Sequence, residues 1–358
     1  MSNRTTMIDW DLAVLAASKM SGPGPMVSRD EAATAVAELR EGAHRSTGLV
    51  KEYTGLVAEE RTAPILVVDR PGWIQANVDG FATIISPLVE KMREKRGDPS
   101  PIAEAIGSRV TGLELGGLLG FMSSKVLGQF DPFHVPTGPG TEGTAGRLLL
   151  VAPNIVHVER ELDVDPTDFR LWVCLHEETH RVQFTAVPWM RDHIHGEIGS
   201  LIDSVEVDPA KLASMLGEGV KRLGDLFRGD EEVSLLDLVQ TPEQKVILDR
   251  ITGVMSLLEG HADVVMDGVG PEVIPTVDEI RSKFNKRRKN ASGLDKVIRR
   301  LLGFDAKMAQ YRNGAAFVRG AMEKVGMEGF NEVWATPENL PSRAEIGDPA
   351  AWVRRVHG

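Results

Sequence analysis

The sequence predicts a mainly helical fold with a small β-sheet, an α+β architecture, and three observations lead there. Apolar residues recur mostly at steps of three and four, helix-start signals punctuate the chain, and only two short runs, "APILVVDRPGW" and "RLLLVAP", are compact and apolar enough for strands. At 358 residues, with 42% apolar and 26% charged residues, the chain can bury a full core and has the balance of an ordinary globular protein. We read residues 1–358 as one domain without internal repeats, a helical part over about 1–145 preceding a core over about 146–330.

Taken in order, Ser28 and Glu31 form a capping-box start for a helix reaching about Tyr53. The first strand signal follows, then a long helix through "WIQANVDGFATIISPLVEKMREK" and a glycine-rich, tightly packed helix near 102–128. After a turn-rich stretch, Arg147 to Pro153 reads as the second strand, ended by its proline. Asp165 is an N-cap, Pro166 suits the first helical position and Asp168 favours the positive end, so a helix should run from there to about Thr185. Short helical pieces fill 188–240, and Thr241 with Gln244 opens another helix to about Asp267. "SKFNKRRKNASG" reads as a basic, solvated loop, and helical pattern returns from Leu294 to Val325.

A formal net charge of -11 repels phosphate backbones and anionic membranes, so neither nucleic acid nor membrane is an expected partner. Cys174 is the single cysteine, which excludes an internal disulfide and a cysteine-based zinc cluster and fits a reducing, cytoplasmic setting. The opening residues have an apolar run broken by Asp9 and Asp11, which does not read as a signal peptide. The apolar stretch Val110 to Gly128 contains Glu114, Lys125 and five glycines and fails as a membrane span.

One helix is too polar for its surroundings. In "FRLWVCLHEETHRVQF", Trp172, Val173, His176, His180 and Gln183 share a face, because steps of three and four return to the same side. Two neutral imidazoles at i and i+4 can chelate one divalent ion, and Glu177 can reach a water held there, which is the H-E-x-x-H pattern of zinc peptidases. Without an ion, histidines and a carboxylate on a greasy face are costly to desolvate. The extended form of the motif needs a glycine at 183 and a histidine at 186; Gln183 and Ala186 exclude it.

A third ligand is sought in "VILDRITGVMSLLEGHADVVMDGV". Glu259 lies inside the apolar stripe of Ile251, Met255, Leu258, Ala262 and Met266, where a carboxylate needs a cation or a proton. His261 is the alternative, about 200° around the helix from Glu259. Asp263, one turn beyond Glu259, could accept the free ring N–H of a ligand histidine. A carboxylate-bridged di-iron site would need a second E-x-x-H element, and 259–262 ends in Ala262.

HEETH at 176–180 followed by E-G-H-A-D at 259–263 resembles the glutamate-type zincins. More closely, "VLGQFDPF", the stretch from "RLLLVAP" through HEETH, "LLGFDAKMAQYRNGAAFV" and "ENLPSRAEIGDPAAWVRRV" look like the zincin-like metallopeptidase family of Actinobacteria and Chloroflexi, covering most of the chain from about residue 28. Members are often labelled as associated with biosynthesis of a deazaflavin coenzyme, although nothing in these residues supports binding one. The resemblance implies a zincin-like core, zinc on His176, His180 and Glu259, Glu177 as general base, and hydrolysis of a peptide or protein substrate. The interval from His180 to Glu259 is longer than in compact glutamate zincins.

Zincin peptidases often stabilise the oxyanion with a tyrosine or histidine, and Tyr311 is the candidate here, with His261, His193 and His195 as alternatives. In zincins an edge strand pairs with the extended substrate, a part that "RLLLVAP" could take. Glu114 reads as a second buried carboxylate held by a hydrogen bond, and Cys174 as a small packing residue. The competing class is a catalytically inactive metal-binding scaffold or assembly factor.

Overall fold

The computed structural model describes residues 7–58, 63–96, 100–135, 146–204, 241–289 and 304–358. It is mainly helical with one small sheet, as predicted. Two compact units emerge: Met1–Arg191 with Ala262–Arg287, and Asp192–His261 with Arg288–Gly358.

The first unit holds α1 (Trp10–Met20), α2 (Arg29–Thr54), β1 (Ile65–Val68), α3 (Arg70–Arg96), α4 (Pro101–Ser123), β2 (Gly128–Asp131), β3 (Arg147–Val151), α5 (Ala152–Leu162) and α6 (Pro166–Thr185). β3 is the middle strand, parallel to β1 with Leu148 opposite Ile65, and antiparallel to β2 with Leu150 opposite Gly128. All of β3 is buried, and its alternation divides the core. Leu150 joins Leu39 and Ala43 of α2 and Leu175 of α6, while Leu149 and Val151 join Ala17, Trp73 and Leu119. Helical layers on both faces are why "RLLLV" is apolar at every step after its arginine.

Three expectations change here. Pro153 starts α5 instead of closing the strand, since a first-turn proline costs a helix no hydrogen bond. β3, paired on both sides, has no open edge for a substrate. The sheet gains a strand the sequence did not announce, β2, whose only strand partner among the described residues is β3. The Val151 N–H donates to Leu127 O at 2.8 Å, so the alternating antiparallel pattern turns the backbone N–H and C=O of Gly128 and Phe130 away from β3.

The Asp165 carboxylate accepts from the Asp168 N–H at 2.9 Å, fixing the start of α6 as predicted, and the Ser28–Glu31 box does the same for α2. Asp168 also binds forward: its Oδ2 accepts from Thr276 N at 3.0 Å and Thr276 Oγ1 at 2.7 Å, where α9 (Val277–Lys289) begins. The basic stretch expected as a loop is therefore helical through Lys289. Phe284 packs against Phe169 and Trp172, Arg287 pairs with Glu161, and Lys283 donates to Asp163 O. Cationic surface and aromatic anchor together hold a helix that charge alone argued against.

α4 is less buried than its composition suggests. Gly112, Gly116 and Gly120 form a stripe at intervals of four against α1; a methyl at Gly112 would sit 2.5 Å from Asp9 O, and one at Gly116 2.8 Å from Ala13 O. The opposite side is open, with Val110 and Leu113 about half exposed and Glu114 exposed, not buried as expected. Among the described residues no helix is long and apolar enough to cross a membrane.

The second unit contains most of α7 (Met190–Ser204), α8 (Pro242–Gly268) as far as His261, α10 (Phe304–Phe330), two 3₁₀ turns, α11 (Arg343–Ile346) and α12 (Pro349–His357). Thr241 and Gln244 exchange side-chain and backbone hydrogen bonds, the predicted opening of α8. Trp352 is fully buried against Phe317 and Phe330 and donates from Nε1 to Asn339 O at 2.7 Å. The short helical pieces expected over 205–240, and the start of the returning helix at Leu294, lie outside the described residues.

The glycine stripe makes a paired prediction. Gly116→Leu should destabilise by about 1–3 kcal/mol through overpacking against α1. Gly117→Ala, at a position with nothing within 4 Å, should stabilise by about 0.5–1 kcal/mol through helix propensity. Chemical denaturation of both variants checks the opposite signs.

Candidate metal centre

α6 is buried on most of its circumference, so its polar side chains must meet partners inside the protein. His176 and His180, one turn apart, bring their Nε2 atoms to 3.3 Å with the ring planes at 87°. Two nitrogens each about 2.0–2.1 Å from one tetrahedral zinc would stand about 3.3–3.4 Å apart, so the pair has the spacing of two ligands of one ion. A carboxylate oxygen of Glu259 completes the group: it and one nitrogen from each ring lie within 4.8 Å of one another. Among the described residues, this is the group of histidine and acidic side chains able to hold an ion, and its donors suit zinc.

The other ring nitrogens are occupied too. His180 Nδ1 lies 2.9 Å from Gln183 Oε1; with the amide oxygen accepting, Nδ1 would carry the hydrogen and leave the Nε2 lone pair toward the cluster. His176 Nδ1 lies 3.1 Å from Met266 Sδ. Met266 stands seven residues after Glu259 on α8, two turns along the same face, so the helix that supplies the carboxylate also backs the first imidazole. Beside Glu259, Gly260 lets α8 meet α10 at backbone distance: a methyl there would lie 2.1 Å from Gly314 C, and one at Gly314 would lie 1.9 Å from Ser256 O.

Glu177 is 7% exposed, and its carboxylate lies across Gly128 of β2, where a Cβ would come within 2.5–2.8 Å of Glu177 Cγ, Cδ and Oε1. Only a glycine leaves room for it. The neighbouring Glu178 serves the fold instead, paired with Arg181 and accepting from Thr47 Oγ1 at 2.8 Å. Cys174 is fully buried against Gly42 and donates weakly to Leu39 O; burial, then Glu177 and Glu178, push its thiol far above the ordinary range.

Other candidates fall elsewhere. Asp263, expected to orient a ligand histidine, accepts from Arg281 Nη1 at 3.0 Å; Arg281 also binds Asp267 and lies over the Trp172 ring. The orienting contact falls to Gln183, from the ligand helix itself. His261 is fully buried between Phe330 and Trp334, with ring centroids 5.7 and 5.3 Å away, and is not a member of the cluster. His193 is half-buried and His195 exposed on α7. Tyr311 belongs to α10, but its side chain lies outside the described residues. Gln183 could have been found from its place on the histidine face; Met266 and Gly128 carry no sequence signal of their own.

The family profile described as zincin-like metallopeptidase matches residues 8–353, nearly the whole chain. The chain belongs to this family. The fold is shared with a crystal structure from Chloroflexus aurantiacus, described as of novel fold and provisionally as a hydrolase, at 31% identity and a TM-score of 0.70, covering 98% of this chain and 99% of that one. Comparison with curated proteins gives no match. Within the zincin-like chain, the helix crossing beside Glu259 is a firm structural test. Gly260→Ala should destabilise by about 1–3 kcal/mol or more, because backbone must move to admit the methyl, and urea unfolding measures it.

Proposed function

We propose that this zincin-like protein is a zinc-dependent metallopeptidase that hydrolyses peptide bonds through a metal-activated water. The observation that carries the reading is the convergence of His176, His180 and Glu259 within 4.8 Å, beside a buried glutamate. His176 and His180 would hold the ion through Nε2 and Glu259 through a carboxylate oxygen, with a further position left for water. Zinc bound there supplies Lewis acidity, polarising a carbonyl and lowering the pKa of water.

The chain's own groups do the rest. Glu177 takes the proton from the attacking water and hands it to the departing amine, a task its position one residue from His176 suits. Gln183 keeps the His180 lone pair on Nε2 by accepting from Nδ1. An extended substrate would pair with the outward-facing N–H and C=O groups of β2, at Gly128 and Phe130, rather than with the enclosed β3.

Metal analysis followed by digestion of a peptide library with wild type and Glu177→Gln tests this. Both proteins should carry about one zinc, while Glu177→Gln should lose about 10²–10⁴-fold in turnover. Zinc retained with no dependence of cleavage on Glu177 favours the inactive metal-binding scaffold; absence of zinc binding removes the ligand assignment. A second prediction concerns Gln183→Leu, which should weaken zinc binding by about 10–100-fold in competition with a chromogenic chelator, with helix content retained.

A further inference from the structure

Two aromatic rings, on the strand of Gly128 and on the helix of Glu177, do not enter the chemistry above. On β2, Gly128 and Phe130 lie on the same side of the strand because side chains alternate, and Glu177 covers the first of them. Phe184, one turn beyond His180 and two beyond Glu177 along α6, reaches the second: its ring centroid lies 5.4 Å from that of Phe130, with the planes tilted by 36°. Both rings are half-buried.

Residues on the other side of β2 are committed to the fold. Gln129 accepts from Trp73 Nε1 at 2.8 Å and donates to Asn77 Oδ1 at 3.0 Å, while Asp131 accepts from Arg147 Nε at 3.1 Å. Phe130 is braced from behind by Gly146, whose left-handed backbone (φ +82°) lies so close that a methyl would stand 2.7 Å from Phe130 Cζ. The ring thus packs closely on Gly146 and retains solvent exposure, whereas the Glu177 carboxylate over Gly128 is almost wholly enclosed. A chain added along the outer edge of β2 would set the side chain opposite Phe130 on the face shared by Phe130 and Phe184, about 4.5–5.5 Å from it between Cβ atoms.

We propose that Phe130 and Phe184 form an apolar subsite that selects a substrate residue with a large apolar side chain, two positions from the residue lying opposite Gly128. The subsite rests on the peptidase reading and deepens it, since it turns a general peptide-bond hydrolase into one selective for an apolar side chain at a fixed offset from the cleaved bond. Aspartate at that offset would bring a negative charge against two ring faces and is disfavoured.

The test uses short blocked peptides in which one position at a time is Phe, Leu, Ala, Asp or Lys, with the full-length, zinc-loaded protein. Wild type should cleave peptides with Phe or Leu at the fixed offset about 10–100-fold better in kcat/KM than those with Ala. Phe184→Ala should shrink that ratio to about threefold or less, with zinc content retained; Phe184→Leu, which keeps more of the packing, should give an intermediate ratio and serves in place of the alanine variant if that fails to fold. A wild-type profile without such a preference, or one unchanged in the Phe184 variants, overturns the subsite. If no peptide is cleaved, the peptidase reading fails separately, and equilibrium binding of the same peptides to zinc-loaded Glu177→Gln decides: a Phe-over-Ala preference that shrinks on adding Phe184→Leu supports the subsite, and equal binding or an unchanged preference overturns it.

Discussion

A helix enclosed on nearly every side can carry histidines, glutamates, arginines and a glutamine only if each finds a partner, and this requirement governs the structure around α6. Arg170 turns to Glu159 and Glu38, Arg181 to Glu178, and Thr179 to the backbone of its own helix. What is left is a pair of imidazoles with converging Nε2 atoms, backed by Gln183 and Met266, and a glutamate laid on a glycine. The polarity divides accordingly: charges that neutralise each other secure the helix, and the remainder is gathered at one place where a cation would complete it. This division also explains how so polar a helix can serve as the centre of the larger hydrophobic cluster.

The second contributor, α8, is fixed by close backbone contact as well as by charge. Its glycine at 260 and that at 314 of α10 permit backbone approach, which leaves little freedom for the neighbouring Glu259 to shift along or around its axis. Met266 then gives the same helix a soft contact with His176. Thioethers are weak acceptors, so the two imidazoles are held unequally: His180 by a strong amide acceptor, His176 by packing against sulfur.

Much of this was legible before any coordinates. Helix starts were the clearest part, because Ser28, Asp165 and Thr241 act through local hydrogen bonds that depend on residues three apart and on little else. The histidine pair and Glu259 were legible for a related reason, since polar residues within an apolar stripe are conspicuous. What escaped notice depends on distant partners. β2 is four residues long, begins with a glycine, and is defined by β3 lying alongside it. Glu114 looked buried because its neighbours are apolar, yet it lies on the open side of its helix, opposite the glycines that meet α1. Asp263 stood one turn from Glu259 as an orienting group should, but Arg281, eighteen residues further on, claims it. The basic segment read as a loop because its charges are dense; the acids and aromatic rings that tame it come from elsewhere in the chain.

The burial of Cys174 reaches beyond packing. A thiol that is the chain's sole sulfhydryl, wedged against a glycine of α2 and held in its protonated form, is silent toward electrophiles as long as the protein stays folded. Any cysteine introduced on the surface would therefore be the single addressable handle on the molecule, so a fluorophore or spin label can be attached to a chosen helix without first removing the native residue.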